Sequence, residues 1–272
     1  MDIWQAAVLG LVEGLTEYLP VSSTGHLLLA QRALGLPADL DSNAFAICIQ
    51  SGAILAVFAL YRRRIGEVFL GLAGRHAAGR RLLVNLVAAF VPAAVIGVLF
   101  DDRIEQHLFG LRPVVGAWAV GGLFLLWLAR RDLTRAGSGL EDLGWRTAAI
   151  VGLCQCAAMW PGVSRSLATI AGGLLCGMGF AAAIEFSFLL GLLTLGAATA
   201  YAGLKQGHSL LEHYGAASLA AGLLVAFVSA WLSVKWMVRS LNARTLAGFG
   251  VYRLVLAAVV AGLLFAGVLE AA

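Results

Sequence analysis

The sequence predicts an all-α integral membrane protein with six full transmembrane helices, two re-entrant helix pairs and an inverted repeat. Three observations carry that prediction. Hydrophobic residues make up 61% of the 272 and charged residues only 12%, against about 25% charged in a soluble domain. Six apolar runs approach the ~20 residues needed to cross a bilayer. Two further apolar stretches are interrupted by proline. No long polar stretch separates these runs, so 1–272 reads as a single membrane domain. The net charge of +4 comes from loop arginines and reads as topology, not nucleic-acid binding.

In chain order, the first interrupted stretch is 3–19 with 24–36, broken at Pro20. No Lys or Arg precedes it and Glu13 and Glu17 lie within it, which makes it a poor cleavable signal peptide. Full-length runs follow at 44–61, 83–100 and 113–129. The second interrupted stretch, 145–159 with 164–180, breaks at Pro161-Gly162, and runs at 182–204, 216–238 and 249–269 complete the chain. Each interrupted stretch reads as a re-entrant pair, tolerated in a bilayer only where its exposed backbone faces protein or a watery cavity. Arg62, Arg63, Arg64, Arg75, Arg80 and Arg81 crowd one loop. Arg130, Arg131, Arg135 and Arg146 mark a second, Arg239 and Arg244 a third. These three loops are expected on the cytoplasmic side, with both termini outside. Cys154 and Cys156 point apart at i, i+2 on a helix, and with Cys48 and Cys176 they read as core residues, not a zinc site or disulfide framework.

The chain also repeats itself. Laying Gly10 on Gly152, an offset of 142, sets Glu13 on Gln155, Tyr18 on Trp160 and Val21-Ser22-Ser23-Thr24 on Val163-Ser164-Arg165-Ser166. Residues 1–130 form the first repeat and 143–272 the second. Each holds one broken pair and three spans, and three is odd, so the second copy is inverted.

The first break carries acids. Glu13 and Glu17 share a helix face at i, i+4, and like charges in an apolar setting call for a proton or a cation beside them. Ser22, Ser23, Thr24 and Gly25 then offer hydroxyls and backbone N–H groups at a helix start, which favours an anion. The second break carries the base. Ser164 and Ser166 offer hydroxyls, Arg165 a guanidinium fork suited to phosphate oxygens, and Thr169 lies one turn on. An arginine between apolar helices must be paired, either with Glu13 or Glu17 or with a substrate phosphate.

The segments V-E-G-L-T-E-Y-L-P-V-S-S-T-G-H and W-P-G-V-S-R-S-L-A-T resemble the two signature segments of the bacterial undecaprenyl pyrophosphate phosphatases, the bacitracin-resistance family. The likeness extends to F-A-I-C-I-Q-S-G-A-I-L-A-V, E-F-S-F-L-L and V-Y-R. It implies a hydrolase of the bacterial cytoplasmic membrane that removes the terminal phosphate of a C55 polyprenyl diphosphate, recycling the lipid carrier of peptidoglycan synthesis. It also implies an active site opening to the outer, periplasmic side and a divalent cation, Mg²⁺ or Ca²⁺; a homo-oligomer is compatible with it. By resemblance, the glutamate pair is Glu13 and Glu17, the serine Ser23, the histidine His26 and the phosphate-binding arginine Arg165, with Ser164 and Thr169 beside it. Leu167 stands where the family usually has Gly, and Leu193 where Pro is common.

Charge neutralisation and positioning dominate cleavage of a diphosphate. Glu13 and Glu17 are expected to hold the cation and Arg165 to take the terminal phosphoryl charge. The attacking group is Ser23, His26 or water, with Glu17 or His26 accepting the proton. Glu185 is expected to be structural and to pair with Arg253, Lys235 to snorkel, and Trp118, Trp127, Trp145, Trp231 and Trp236 to serve as interface anchors and packing. A lipid flippase would suit the repeats but gives no reason for the serine beside the carboxylates. The type 2 phosphatidic acid phosphatases need a lysine seven residues before Arg-Pro, and Glu105 stands there before Arg112-Pro113.

Overall fold

The computed structural model describes the backbone at 1–36, 40–108, 110–131 and 137–269, and side chains throughout these except at 40–44, 101–107, 202 and 205–213. Helices follow one another as α1 (Ile3–Thr16), α2 (Ser23–Ala33), α3 (Leu40–Leu60), α4 (Arg62–Leu72), α5 (Ala77–Leu108), α6 (Leu111–Ala129), α7 (Trp145–Cys156), α8 (Arg165–Leu175), α9 (Phe180–Ser240) and α10 (Ala243–Phe265). Among the described residues no β-strand forms. Arg135 lies outside the described residues.

Five segments are long and apolar enough to cross a membrane: Ala77–Phe100, Leu111–Ala129, Phe180–Tyr201, Tyr214–Ser240 and Ala243–Phe265. The chain is therefore a multi-pass membrane protein. Gly215, at φ 72°, separates the third and fourth of these within α9. Phe45–Leu60 and Arg62–Leu72 pass the same test only as a pair, bent by 79°. The sequence reads 44–61 as a full-length span; the helix ends at Leu60, is not a span by itself, and is followed by a helix that the sequence reading missed. Arg62, Arg63 and Arg64 cannot follow apolar residues into hydrocarbon, so the helix turns at Tyr61 and α4 leaves Phe69 and Leu72 exposed. The two interrupted stretches appear as short helices of 14 and 11 residues in α1 and α2, and of 12 and 11 in α7 and α8. At 1.5 Å per residue none of them reaches across ~30 Å of hydrocarbon.

Packing relates the two halves. α1 lies against the second part of α9, where the Ser233 hydroxyl donates to the Leu15 carbonyl at 3.0 Å. α7 lies against α5, and α6 against α10. Among helices without a hydrophobic driving force between them, such small-residue and hydroxyl contacts are what hold neighbours together. On the arginine-rich side, Arg64 donates to Glu185 (2.7 Å), Glu67 (3.0 Å) and Glu141 (2.8 Å), and Arg81 donates to the Glu141 carbonyl at 2.8 Å. Loops from three parts of the chain thus meet on one face.

That cluster corrects one expectation. Glu185 pairs with Arg64, not with Arg253. Glu185 sits in the second turn of α9, beside the start of α4, whereas Arg253 lies about 15 Å along α10 from its first residue and is wholly buried among backbone carbonyls. Of the two roles expected for the tryptophans, Trp118 takes packing. It is fully buried and donates to the Val21 carbonyl at 3.0 Å, so it walls the first break and anchors nothing at an interface. Trp127, Trp145 and Trp236 are exposed, and Lys235 lies 4.9 Å over the Trp231 ring. All four cysteines are free.

Candidate active site

The two breaks share one backbone geometry. α1 runs on helically through Glu17, the chain turns at Pro20, and α2 starts after Ser22 at φ 72°, ψ 100°. α8 starts after Ser164 at φ 77°, ψ 119°. These two serines are the non-glycine residues with positive φ among the described residues, and they are 142 positions apart, the offset of the sequence repeat. A non-glycine residue held there costs about 1–3 kcal/mol and persists only where its surroundings fix it.

Those surroundings are visible. The Ser166 hydroxyl donates to the Leu19 carbonyl at 2.8 Å, and Ser164 lies 2.9 Å from Ser166 and accepts the Leu167 N–H at 3.3 Å. Arg253 reaches both breaks from α10. Its Nη1 donates to the carbonyls of Pro20 and Val163, each at 3.1 Å, and its Nη2 to those of Gly162 at 2.7 Å and Ala117 at 2.9 Å. Among the described residues this buried guanidinium has no carboxylate partner and is stabilised by three carbonyls at the breaks and by one, Ala117, in α6.

Between the stapled breaks the charged groups meet. Glu17 Oε1 accepts from Arg165 Nη2 at 3.1 Å, Oε2 accepts from the Ser23 hydroxyl at 2.5 Å, and Gln50 Nε2 stands 3.5 Å from Oε2. Arg165 Nη1 donates to the Ser187 carbonyl at 2.8 Å, and its guanidinium lies 5.4 Å over the Tyr18 ring. A Cβ at Gly191 would overlap that guanidinium and displace it from this position. Thr169 donates to the Arg165 carbonyl at 2.9 Å and lies 2.6 Å from the Ser187 hydroxyl. It braces Arg165 from behind.

Glu13 and Arg165 are among the buried polar groups left incomplete. Both oxygens of Glu13, which is 1% exposed, accept no hydrogen bond, and the Arg165 Nε–H has no acceptor. Protein interiors rarely leave such groups unpaired. An orphaned carboxylate one turn from a second one suits a hard cation, and Mg²⁺ commonly takes one or two carboxylates beside substrate phosphates. Among the described residues no group of three His, Cys, Asp or Glu side chains forms a metal cage of its own. Glu13, Ser23, Thr24, Gln31, Gln50 and Pro161 line a cavity of about 280 Å³. A second, apolar groove of about 1040 Å³ runs past Phe100, Val120, Phe124, Trp160 and Leu167, and Met159 borders both.

The remaining residues expected from sequence take other places. His26 Nδ1 is 2.6 Å from the Ser22 carbonyl and Nε2 is 2.7 Å from the Tyr252 hydroxyl. Both ring nitrogens are engaged, neither with Ser23 nor with Glu17. Gly25 lies against the Trp118 ring, which a side chain there would overlap.

A family model described as "Bacitracin resistance protein BacA" matches residues 6–259. The chain belongs to the BacA family. Undecaprenyl-diphosphatase 1 of Chromobacterium violaceum is 42% identical over 274 residues, covering 98% of both chains. The undecaprenyl-diphosphatase of Methylococcus capsulatus is 44% identical over 259 residues, covering 95% of this chain and 94% of its own. That of Sorangium cellulosum is 44% identical over 261 residues, covering 94% and 85%. The structure adds three residues to those read from this BacA-family sequence: Gln50, Ser187 and Tyr252. Gln50 and Ser187 carry a weak signal, single polar residues inside apolar runs. All three also lie in segments that the family likeness covers, Tyr252 in V-Y-R; what the sequence does not give is the partner of Tyr252, 226 residues away.

Proposed function

We propose that the chain is an undecaprenyl-diphosphatase, hydrolysing the C55 polyprenyl diphosphate to the monophosphate and inorganic phosphate and so recycling the lipid carrier of cell-wall synthesis. The observation that carries this reading is the line Ser23–Glu17–Arg165. It sets a hydroxyl, a base that already holds its hydrogen bond and a phosphate-binding fork within one buried cleft. A flippase has no use for a serine aligned on a carboxylate.

The chemistry follows from that line. Ser23 Oγ attacks the terminal phosphorus as its proton passes to Glu17 Oε2. The anhydride P–O bond breaks, and the polyprenyl monophosphate leaves with the bridging oxygen. Water then attacks the phosphoserine, Glu17 moves the proton, and phosphate departs. Arg165 exchanges its Glu17 contact for phosphoryl oxygens and offers its free Nε–H to the same group, stabilising charge where it develops. Glu13 and Glu17 are the carboxylates that would hold a divalent cation, Mg²⁺ or Ca²⁺, and such a cation would supply charge neutralisation at the diphosphate. Thr24 and the α2 backbone face the headgroup cavity, while Ser22, Gly25, Ser164, Ser166 and Thr169 shape the site through the contacts described above. The apolar groove past Met159 receives the prenyl chain.

The same reading places six spans and two re-entrant pairs in the bacterial inner membrane, as inverted repeats 1–130 and 143–272. The shared φ of Ser22 and Ser164 and the exchanged packing of α1 and α7 support it. The arginine-rich face is cytoplasmic by its charge, and the site opens outward. Phosphate release from a polyprenyl diphosphate by the purified wild type and by Arg165→Ala, each with and without a chelator, tests the function. Equal rates in all four would end it. Acid quench with labelled substrate locates the phosphoryl group on serine or histidine, and the absence of label would leave water as the nucleophile.

A further inference from the structure

We propose that Tyr252 is a positioning residue of the reaction, acting through His26 on the backbone of the first break; the proposal rests on the phosphatase reading above. A carbonyl oxygen only accepts, so His26 Nδ1, 2.6 Å from the Ser22 carbonyl, must carry a hydrogen. With Nδ1 protonated in a neutral ring, Nε2 is an acceptor, and the Tyr252 hydroxyl at 2.7 Å is its donor. Tyr252 therefore selects the tautomer with which His26 grips Ser22. The ring itself is fixed on both sides, stacked on Tyr252 with an interplanar angle of 6° and edge-on to Trp118 at 5.4 Å.

What the grip holds is the left-handed serine that aims α2 and Ser23 at Glu17. The two breaks solve this problem differently. Ser164 caps its own helix through its side chain, accepting the Leu167 N–H. Ser22 makes no such side-chain cap, and its carbonyl is instead taken by His26. At the offset of 142 the counterpart of His26 is Ala168. The imidazole does not cap the helix; it donates to the Ser22 carbonyl, a contact that Ala168 cannot make in the second break, and Tyr252 keeps it in the donating form. Ser23 is the next residue, and an attacking oxygen displaced by about 1 Å loses on the order of 100-fold in rate.

Asparagine separates this role from chemistry. Its side-chain amide places an N–H near the position of Nδ1 but is neither a base nor a nucleophile. For wild type, His26→Ala, His26→Asn, Tyr252→Phe and the His26→Asn/Tyr252→Phe double variant, kcat and KM for phosphate release would be measured in detergent. ¹⁵N-histidine spectra of the same preparations read the tautomer. We expect His26→Ala to lose about 100-fold in kcat and His26→Asn to recover to within about tenfold of wild type. Tyr252→Phe should lose about tenfold with KM unchanged, and should lose nothing further when His26 is already Asn, because coupled residues are not additive. The spectrum should show an unprotonated His26 Nε2 whose signal moves in Tyr252→Phe. His26→Asn as inactive as His26→Ala in a folded protein would overturn the proposal, as would a proton on Nε2. Should the wild type release no phosphate, the functional reading fails by itself, and the spectra still decide the tautomer.

Discussion

The two broken hairpins have the same shape and opposite chemistry. Both restart a helix from a serine near φ 75°, and both are tied to Arg253. One brings Glu13, Glu17 and Ser23 to the site, the other Arg165. Two helix starts of like backbone geometry thus meet at Ser23, Glu17 and Arg165, and their side chains divide the labour between them. Neither hairpin makes a site by itself. The acids lack a phosphate ligand, and the arginine lacks a base and a nucleophile.

The comparison breaks most visibly at the base. Arg165→Ala should cut phosphate release by about 10³-fold, the scale seen when a transition-state arginine is lost. Arg165→Lys should recover little, since an ammonium cannot reach Glu17 and the Ser187 carbonyl together as a fork. If Arg165→Lys restored most of the activity, Arg165 would be acting as a point charge alone. On the acid side, Ser23→Ala should cost about 10²–10³-fold in kcat with KM nearly constant, because the lost interaction belongs to the transition state. A Ser23→Ala enzyme within threefold of wild type would assign the attack to water.

A smaller change sharpens the comparison without touching any reacting group. Gly191→Ala places a methyl group where the Arg165 guanidinium lies, and should cost about 100-fold through displacement of that one side chain. Circular dichroism and gel filtration should stay those of wild type. If activity were preserved, the guanidinium would have another seat, and its contact with Ser187 would be dispensable.

How far the sequence disclosed all this depends on the range over which each feature is encoded. The membrane spans and both breaks were legible because apolar run length, Pro20 and Pro161-Gly162 act locally. Glu17, Ser23 and Arg165 stood out because polar groups in hydrocarbon need a reason, and the structure brings them together within 3.1 Å. The partners were a different matter. Arg253 was paired with Glu185 on charge alone, whereas backbone carbonyls, which no side-chain pattern records, were what it found. Gln50, Ser187 and Tyr252 lie in segments that the family likeness covers, but nothing in those segments says what each would touch until the fold chooses their neighbours. The bend at Tyr61 was hidden because the apolar run before it comes close to the length of a span and masks the helix that follows.

Position 25 in the first hairpin and 167 in the second, 142 apart, give the finest test. Gly25 sits against Trp118 and has no room for a side chain. Leu167 occupies the matching place in the second hairpin, where it is 4% exposed and joins the core beneath the breaks while bordering the apolar groove. A glycine at 167 would remove a buried side chain at a cost of about 3 kcal/mol, read as a lower unfolding midpoint in detergent. It would also widen the groove away from the reacting atoms. The lost contact is the same in ground state and transition state, so KM for a long prenyl chain should rise about threefold to tenfold while kcat holds. A diphosphate with a short chain that ends before the groove should show neither change. If kcat fell instead for both substrates, Leu167 would be setting the position of Arg165 two residues earlier, and the second hairpin would need its leucine for chemistry as the first needs its glycine for packing.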